Sequence, residues 1–156
     1  MLLALTFFLA TAFPSTSKTA WMTPESFRLA IGMERLAVVQ ELRKGGWAVK
    51  QGRDANEIYI DYTSERSLTM EFRNDRLRSI RFELFAQLPE LEPAFVEMRE
   101  TLRKSLGEPK KKLTRSIVLY DDRTPNVMLV LSNDPKSENG KKGIGFVAVR
   151  YYDPAM

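Results

Sequence analysis

The sequence predicts an α+β fold in which two tandem units, each a helix followed by three antiparallel strands, form one two-layer domain of helices on sheet. Three observations lead there. A helical segment closed by glycine and followed by three short strands runs over residues 24–86, and the same order recurs over 88–152. Tyr62 and Tyr120 take matching places, as do Arg73-Asn74-Asp75 and Ser132-Asn133-Asp134, at an offset of about sixty residues, as an internal repeat would give. The strand segments of the first unit alternate apolar with polar residues, the pattern of antiparallel strands with one face on a core and one in water. The resulting boundaries are 1–20 for a leader and linker, 21–87 for the first unit and 88–156 for the second.

The leader reads as a secretory signal. Residues 1–13 carry no charge, a polar stretch from Pro14 to Thr19 follows, and Ala10-Thr11-Ala12 offers a small-residue cleavage motif. The run is too short to span a bilayer. A buried N-terminal strand or a truncated anchor is the competing reading. The expectation is an exported protein, periplasmic or secreted.

Thr23-Pro24-Glu25 has the form of a helix start, with a capping hydroxyl, proline at the first helical position and an acid at the positive end of the dipole. Phe27, Ile31, Val38 and Leu42 continue an apolar stripe that Gly32 interrupts, so a short helix, a break at Gly32-Met33 and a second helix through Lys44 are expected, closed by Gly45-Gly46. In the second unit Leu91, Phe95, Met98, Leu102 and Leu106 recur at helical spacing. Glu90, Glu92 and Glu97 stand early, Arg103 and Lys104 late, and Gly107 and Pro109 stop the helix.

Ile58, Ile60 and Tyr62, then Leu68, Met70 and Phe72, then Ile80, Phe82 and Leu84 form the inward sets of three strands, with a tight hairpin at Asn74-Asp75. In the second unit the segments 117–120, 127–131 and 144–152 are apolar on nearly both faces, so they need two covers. One is the helix of residues 90–106; the other is the first unit or a partner.

The composition removes most catalytic classes. The 156 residues include no histidine and no cysteine, which excludes disulfides, thiolate nucleophiles, imidazole bases and nearly every zinc, copper or haem site. Asp121-Asp122 with Asp61 is the one tempting carboxylate set, but Arg123-Thr124-Pro125-Asn126 marks a hairpin there. Gly140-Lys141-Lys142-Gly143-Ile144-Gly145 lacks the strand-before-helix context of a phosphate loop, and Ser132 to Gly143 reads as a hairpin loop. Twenty-four basic side chains face twenty acidic ones, and Glu71, Asp75 and Glu83 interleave with Arg73, Arg76, Arg78 and Arg81. That describes a mixed-sign solvated surface rather than a nucleic-acid patch. No enzyme, cofactor or metal is expected.

Gly32-Met33, Val38 and Leu42, the run from Leu68 to Ile80, and Leu106-Gly107-Glu108-Pro109 resemble the small outer-membrane assembly lipoproteins of the SmpA/OmlA type. The tandem arrangement is similar to the beta-lactamase-inhibitor-protein-like fold. The resemblance implies an envelope protein that binds another protein through a sheet face. With no lipobox cysteine, no lipid anchor is implied.

The expected activity is therefore protein binding, in an envelope assembly or inhibitor-like adaptor. Candidate contact residues are Tyr59, Arg73 and Arg81 on the open face of the first unit and Tyr120, Met128 and Val130 in the apolar second sheet. For the latter three, ordinary core beneath the first unit is the competing reading. Trp47 is read as a core plug or a ligand stacker, and Trp21 as docked on the domain or as a sticky anchor. The alternative function is binding of an apolar or anionic small molecule between helix and sheet, and a purely structural envelope role is the third.

Overall fold

Alternation in the segments from Glu57 to Tyr152 builds strands of a single antiparallel sheet, seen in a computed structural model that describes residues 23–133 and 139–155. The expectations for the leader and Trp21, and much of the loop after Ser132, lie outside the described residues. A 3-10 turn at Pro24–Phe27 comes first, then α1 (Arg35–Lys44), β1 (Lys50–Gln51), β2 (Glu57–Thr63), β3 (Arg66–Arg73) and β4 (Arg76–Gln87). After α2 (Leu88–Leu106) come β5 (Lys111–Thr114), β6 (Ile117–Tyr120), β7 (Asn126–Ser132) and β8 (Ile144–Tyr152), with a short 3-10 turn before the last. The strands lie in the order β1-β2-β3-β4-β8-β7-β6-β5, every neighbouring pair antiparallel. The fold is α+β. No described helix is long and apolar enough to cross a membrane, and the sequence has no cysteine to carry a lipid.

Local chemistry explains where the elements stop. The chain breaks at Gly32, whose φ of 93° only glycine adopts readily. Around this break the Gly32 N–H donates to the Leu77 carbonyl at 2.7 Å, the Leu77 N–H to Met33 at 2.8 Å and the Arg35 N–H to Asp75 at 2.8 Å, so the start of α1 is tied to the start of β4. Glu34 is the N-cap of α1 without capping it, and reaches Arg76 at 3.3 Å instead. Asn74 and Asp75 both have positive φ, 50° and 57°, which makes the two-residue hairpin between β3 and β4. The turn 121–125 joins β6 to β7 and contains Asp121 and Asp122, as the hairpin reading required.

The register puts Ile58, Ile60, Leu68, Met70, Ile80, Phe82, Leu84, Val147, Val149, Val127, Leu129, Val118 and Tyr120 on one face. Val38 and Leu42 of α1 pack there with Phe27, over the first-half strands. Leu91, Phe95, Met98 and Leu102 of α2 pack on the second-half strands. Each such fully buried side chain contributes about 1.5–3 kcal/mol. Trp47 plugs the first cluster, its ring centroid 5.7 Å from Phe27 and 6.5 Å from Tyr62. The two clusters meet at Tyr151, which packs against both and stands edge-on to Phe82 at 6.0 Å.

Two expectations change. Each half carries four strands rather than three, because the short exposed segments β1 and β5 add an edge strand at either end. The first unit does not cover the second sheet. It lies beside it, joined edge to edge along the nine-residue β4–β8 register from Ser79↔Tyr152 to Gln87↔Ile144. The apolar residues on the far side of the second-half strands therefore have no described layer above them.

Candidate functional site on the open sheet face

The face turned away from both helices divides into a polar and an apolar half. On the polar half β2 sends out Glu57, Tyr59 and Asp61, β3 Ser67, Thr69 and Glu71, β4 Ser79, Arg81 and Glu83, and β8 Arg150 and Tyr152. Arg81 stands opposite Arg150 across the β4–β8 seam, a like-charge pairing that opposes sheet formation. Glu71 resolves it. The Arg150 Nη2 donates to Glu71 Oε2 at 2.7 Å and the Arg81 Nη1 to Glu71 Oε1 at 3.5 Å, so one carboxylate holds guanidiniums from both halves of the sheet. Arg150 Nε also donates to the buried Ser79 hydroxyl at 2.7 Å, and its guanidinium stands 5.3 Å over the Tyr152 ring.

Arg81 has two further carboxylates around it. Its Nε lies 3.1 Å from Glu83 Oε1 and its Nη2 4.0 Å from Glu57 Oε2. The Nε contact lacks the alignment of a hydrogen bond and is a charge contact. Glu83 is nearly buried, and its second oxygen accepts from the Ser67 hydroxyl at 3.1 Å and the Thr69 hydroxyl at 3.2 Å. At the rim Lys50 binds Asp61 at 2.7 Å and stands 5.6 Å from the Tyr59 ring centroid. That hydrogen bond raises the Lys50 pKa. The arrangement is a connected ion network in which each carboxylate and guanidinium has at least one charged partner. Among the described residues no group of acids is placed to hold a metal ion.

Toward β6 the same face turns apolar. Leu119 stands opposite Met128, Ile117 opposite Val130, and Phe146 opposite Phe85 with ring centroids 6.0 Å apart; all are half-buried. Over the polar half, and reaching the Phe85–Phe146 pair, lies a concavity of about 530 Å³, with Ser67, Thr69 and Glu83 in its lining alongside Tyr59.

The candidates read from sequence fall in different places. Tyr59 and Arg81 share the polar half, and Met128 and Val130 share the apolar half of the same face. Arg73 stands at the β3–β4 hairpin opposite Arg76, exposed, beyond a bulge at Glu71/Phe72. Tyr120 is on the other face: it pairs with Val127, is 1% exposed in the α2 cluster, and burial raises its phenol pKa. The physical reason is the two-residue period, which sends Tyr120 inward when Leu119 and Met128 point out. Sequence reasoning missed Glu71, Glu83, Arg150, Leu119 and Phe146. The strand alternation already put Glu71, Arg81 and Glu83 on the wet face; only the β4–β8 pairing, a non-local fact, adds Arg150 and Phe146.

Comparison of the chain with protein families, with curated proteins and with solved structures found no match.

Proposed function

We propose that this chain is a non-enzymatic binding module that meets another protein through its open sheet face, as an envelope assembly or inhibitor-like adaptor outside the cytoplasm. The observation that carries the reading is the placement of both helices on one face, which leaves a patch of Leu119, Met128, Val130 and Phe146 half-buried on the other beside a connected ion network. An apolar centre flanked by fixed polar groups is the anatomy of a protein interface, and a preorganised network limits the ordering cost of association. The repeated order of one helix followed by four strands, with the last strands of the halves paired at the centre, supports a tandem-unit origin. Export rests on the uncharged apolar run of residues 1–13.

The test is an affinity capture from envelope extract with three proteins: wild type, Met128→Glu with Tyr59→Ala, and a helix-face control, Leu36→Glu, at a residue that is 68% exposed. A protein retained by wild type and by the control but lost from the open-face variant supports the adaptor. Equal capture by all three removes the open face from consideration.

A further inference from the structure

On the helix side of the sheet, a second cleft opens where α2 passes the β5–β6 edge. Its volume is about 610 Å³, within the roughly 300–1,000 Å³ of small-molecule sites. The stripe Phe95, Val96 and Arg99 of α2 forms one wall, and Val118 and Leu131 line it from the sheet. Phe95 and Val118 are buried beneath, while Val96 is 40% exposed, so the cleft presents apolar surface to solvent in the space between helix and strand.

The charges around this apolar lining are unbalanced. Arg99, Lys112 and Arg115 line the cleft against a single acid, Glu92. The neighbouring Lys110 and Lys111 are neutralised by Asp122 at 3.6 Å and Asp121 at 2.6 Å. Lys112 and Arg115 form no ion pair among the described residues, and Arg99 has only a 3.9 Å contact with its neighbour Glu100. Cations without an ion pair in a cleft that is apolar along Phe95, Val96, Val118 and Leu131 and polar at Thr114, Ser116 and Asn133 complement a molecule with an anionic head and a hydrocarbon tail. From this we infer that the α2–β5 cleft binds a single-chain anionic amphiphile of the fatty-acid class, its chain along Val96 and Leu131 and its head on Lys112 and Arg115. This gives the small-molecule alternative read from the sequence a definite site, and it stands independently of the sheet-face proposal because the cleft is on the opposite side of the sheet.

The experiment is an NMR titration of the whole chain with sodium dodecanoate below its micellar concentration, with dodecyltrimethylammonium as the opposite-charge probe of equal chain length. Saturable amide shifts at Val96, Ser116 and Leu131 with dodecanoate, and none there with the cation, are expected. Lys112→Glu with Arg115→Glu weakens dodecanoate by about tenfold, because two exposed attractive contacts become repulsive, and raising the salt concentration weakens the wild type in the same direction. Val96→Ser, at an exposed helix position, weakens binding without changing the circular dichroism. Equal binding of the two amphiphiles, shifts confined to the open sheet face, or a charge-reversed variant that binds as wild type does overturns the inference. So does a short acidic peptide that occupies the cleft when dodecanoate does not. The wild-type comparison of the two amphiphiles decides the matter even if a variant fails to fold.

Discussion

Replacing Glu83 by alanine tests whether the open-face network is structural. The Glu83 side chain is 12% exposed and supplies three contacts: two accepted hydroxyl bonds and one guanidinium. Its removal leaves Ser67 and Thr69, both buried, without an acceptor, at about 1 kcal/mol each. Arg81 is not orphaned, since Glu71 at 3.5 Å and Glu57 at 4.0 Å remain, so the cost stays below the ~3–5 kcal/mol of a stripped buried pair. The sum is about 2–3 kcal/mol. Glu83→Gln keeps the shape and one acceptor oxygen and costs about 1 kcal/mol. Urea denaturation followed by circular dichroism reads both, and with a slope of about 1.5 kcal/mol per molar the alanine variant shifts the midpoint down by roughly 1–2 M. A Glu83→Ala protein within about 0.5 kcal/mol of wild type, inside the range of ordinary surface changes, would refute the reasoning. So would a glutamine variant as costly as alanine, which would mean that charge rather than hydroxyl satisfaction is the cause.

Burial raises the phenol pKa of Tyr62 and of Tyr151 to about 12, where an unfolded tyrosine ionises near 10. Between these values the unfolded chain has released protons that the folded one keeps, so stability is complete below pH 10 and falls as pH rises toward 12, on the order of 2 kcal/mol for each residue. Tyrosinate absorbance followed with pH, beside thermal melts, checks it; normal titration of all five tyrosines contradicts it. Gly145→Ala and Gly46→Ala separate two uses of glycine. A methyl at Gly145 meets Leu91 Cδ1 and the Ser132 carbonyl, an overpacking cost of ~1–3 kcal/mol or more, whereas Gly46, at φ 81°, has nothing within 4 Å and loses about 1 kcal/mol from backbone strain alone. Gly145→Ser then lowers the melting temperature further than Gly145→Ala, while Gly46→Ser matches Gly46→Ala.

Most of the elements could be read from the residues because their causes are local. Alternation from Ile58 to Leu84 gave the inward set, Asn74-Asp75 the hairpin, Gly32 the break and Gly107 the end of α2. What escaped was decided at a distance or by weak patterns. Lys50-Gln51 and Lys111–Thr114 are exposed and carry no alternation, so nothing within them marks β1 or β5 as strands. The position of the second half beside the first, rather than beneath it, depends on β4 meeting β8. For the site, the residues put Tyr59 and Arg81 on the wet face of the first unit and Met128 and Val130 in a separate apolar sheet; that they share one face follows only from the β4–β8 and β7–β8 pairing, and Tyr120 was grouped with Met128 because both are large, against the parity that separates them.

The strand order also constrains how a nascent chain reaches this structure. β8 comes after the other seven described strands in the chain, yet it lies between β4 and β7. Until it emerges, the twelve residues of β4 and the seven of β7 each present an unpaired hydrogen-bonding edge. Without β8 the other strands of this order make two open-edged half-sheets, and α2 lacks the Val147 and Val149 it packs on. The late pairing of one strand closes both edges at once, and whatever delays that pairing lengthens the interval in which the chain is most exposed to mispairing and to chaperones.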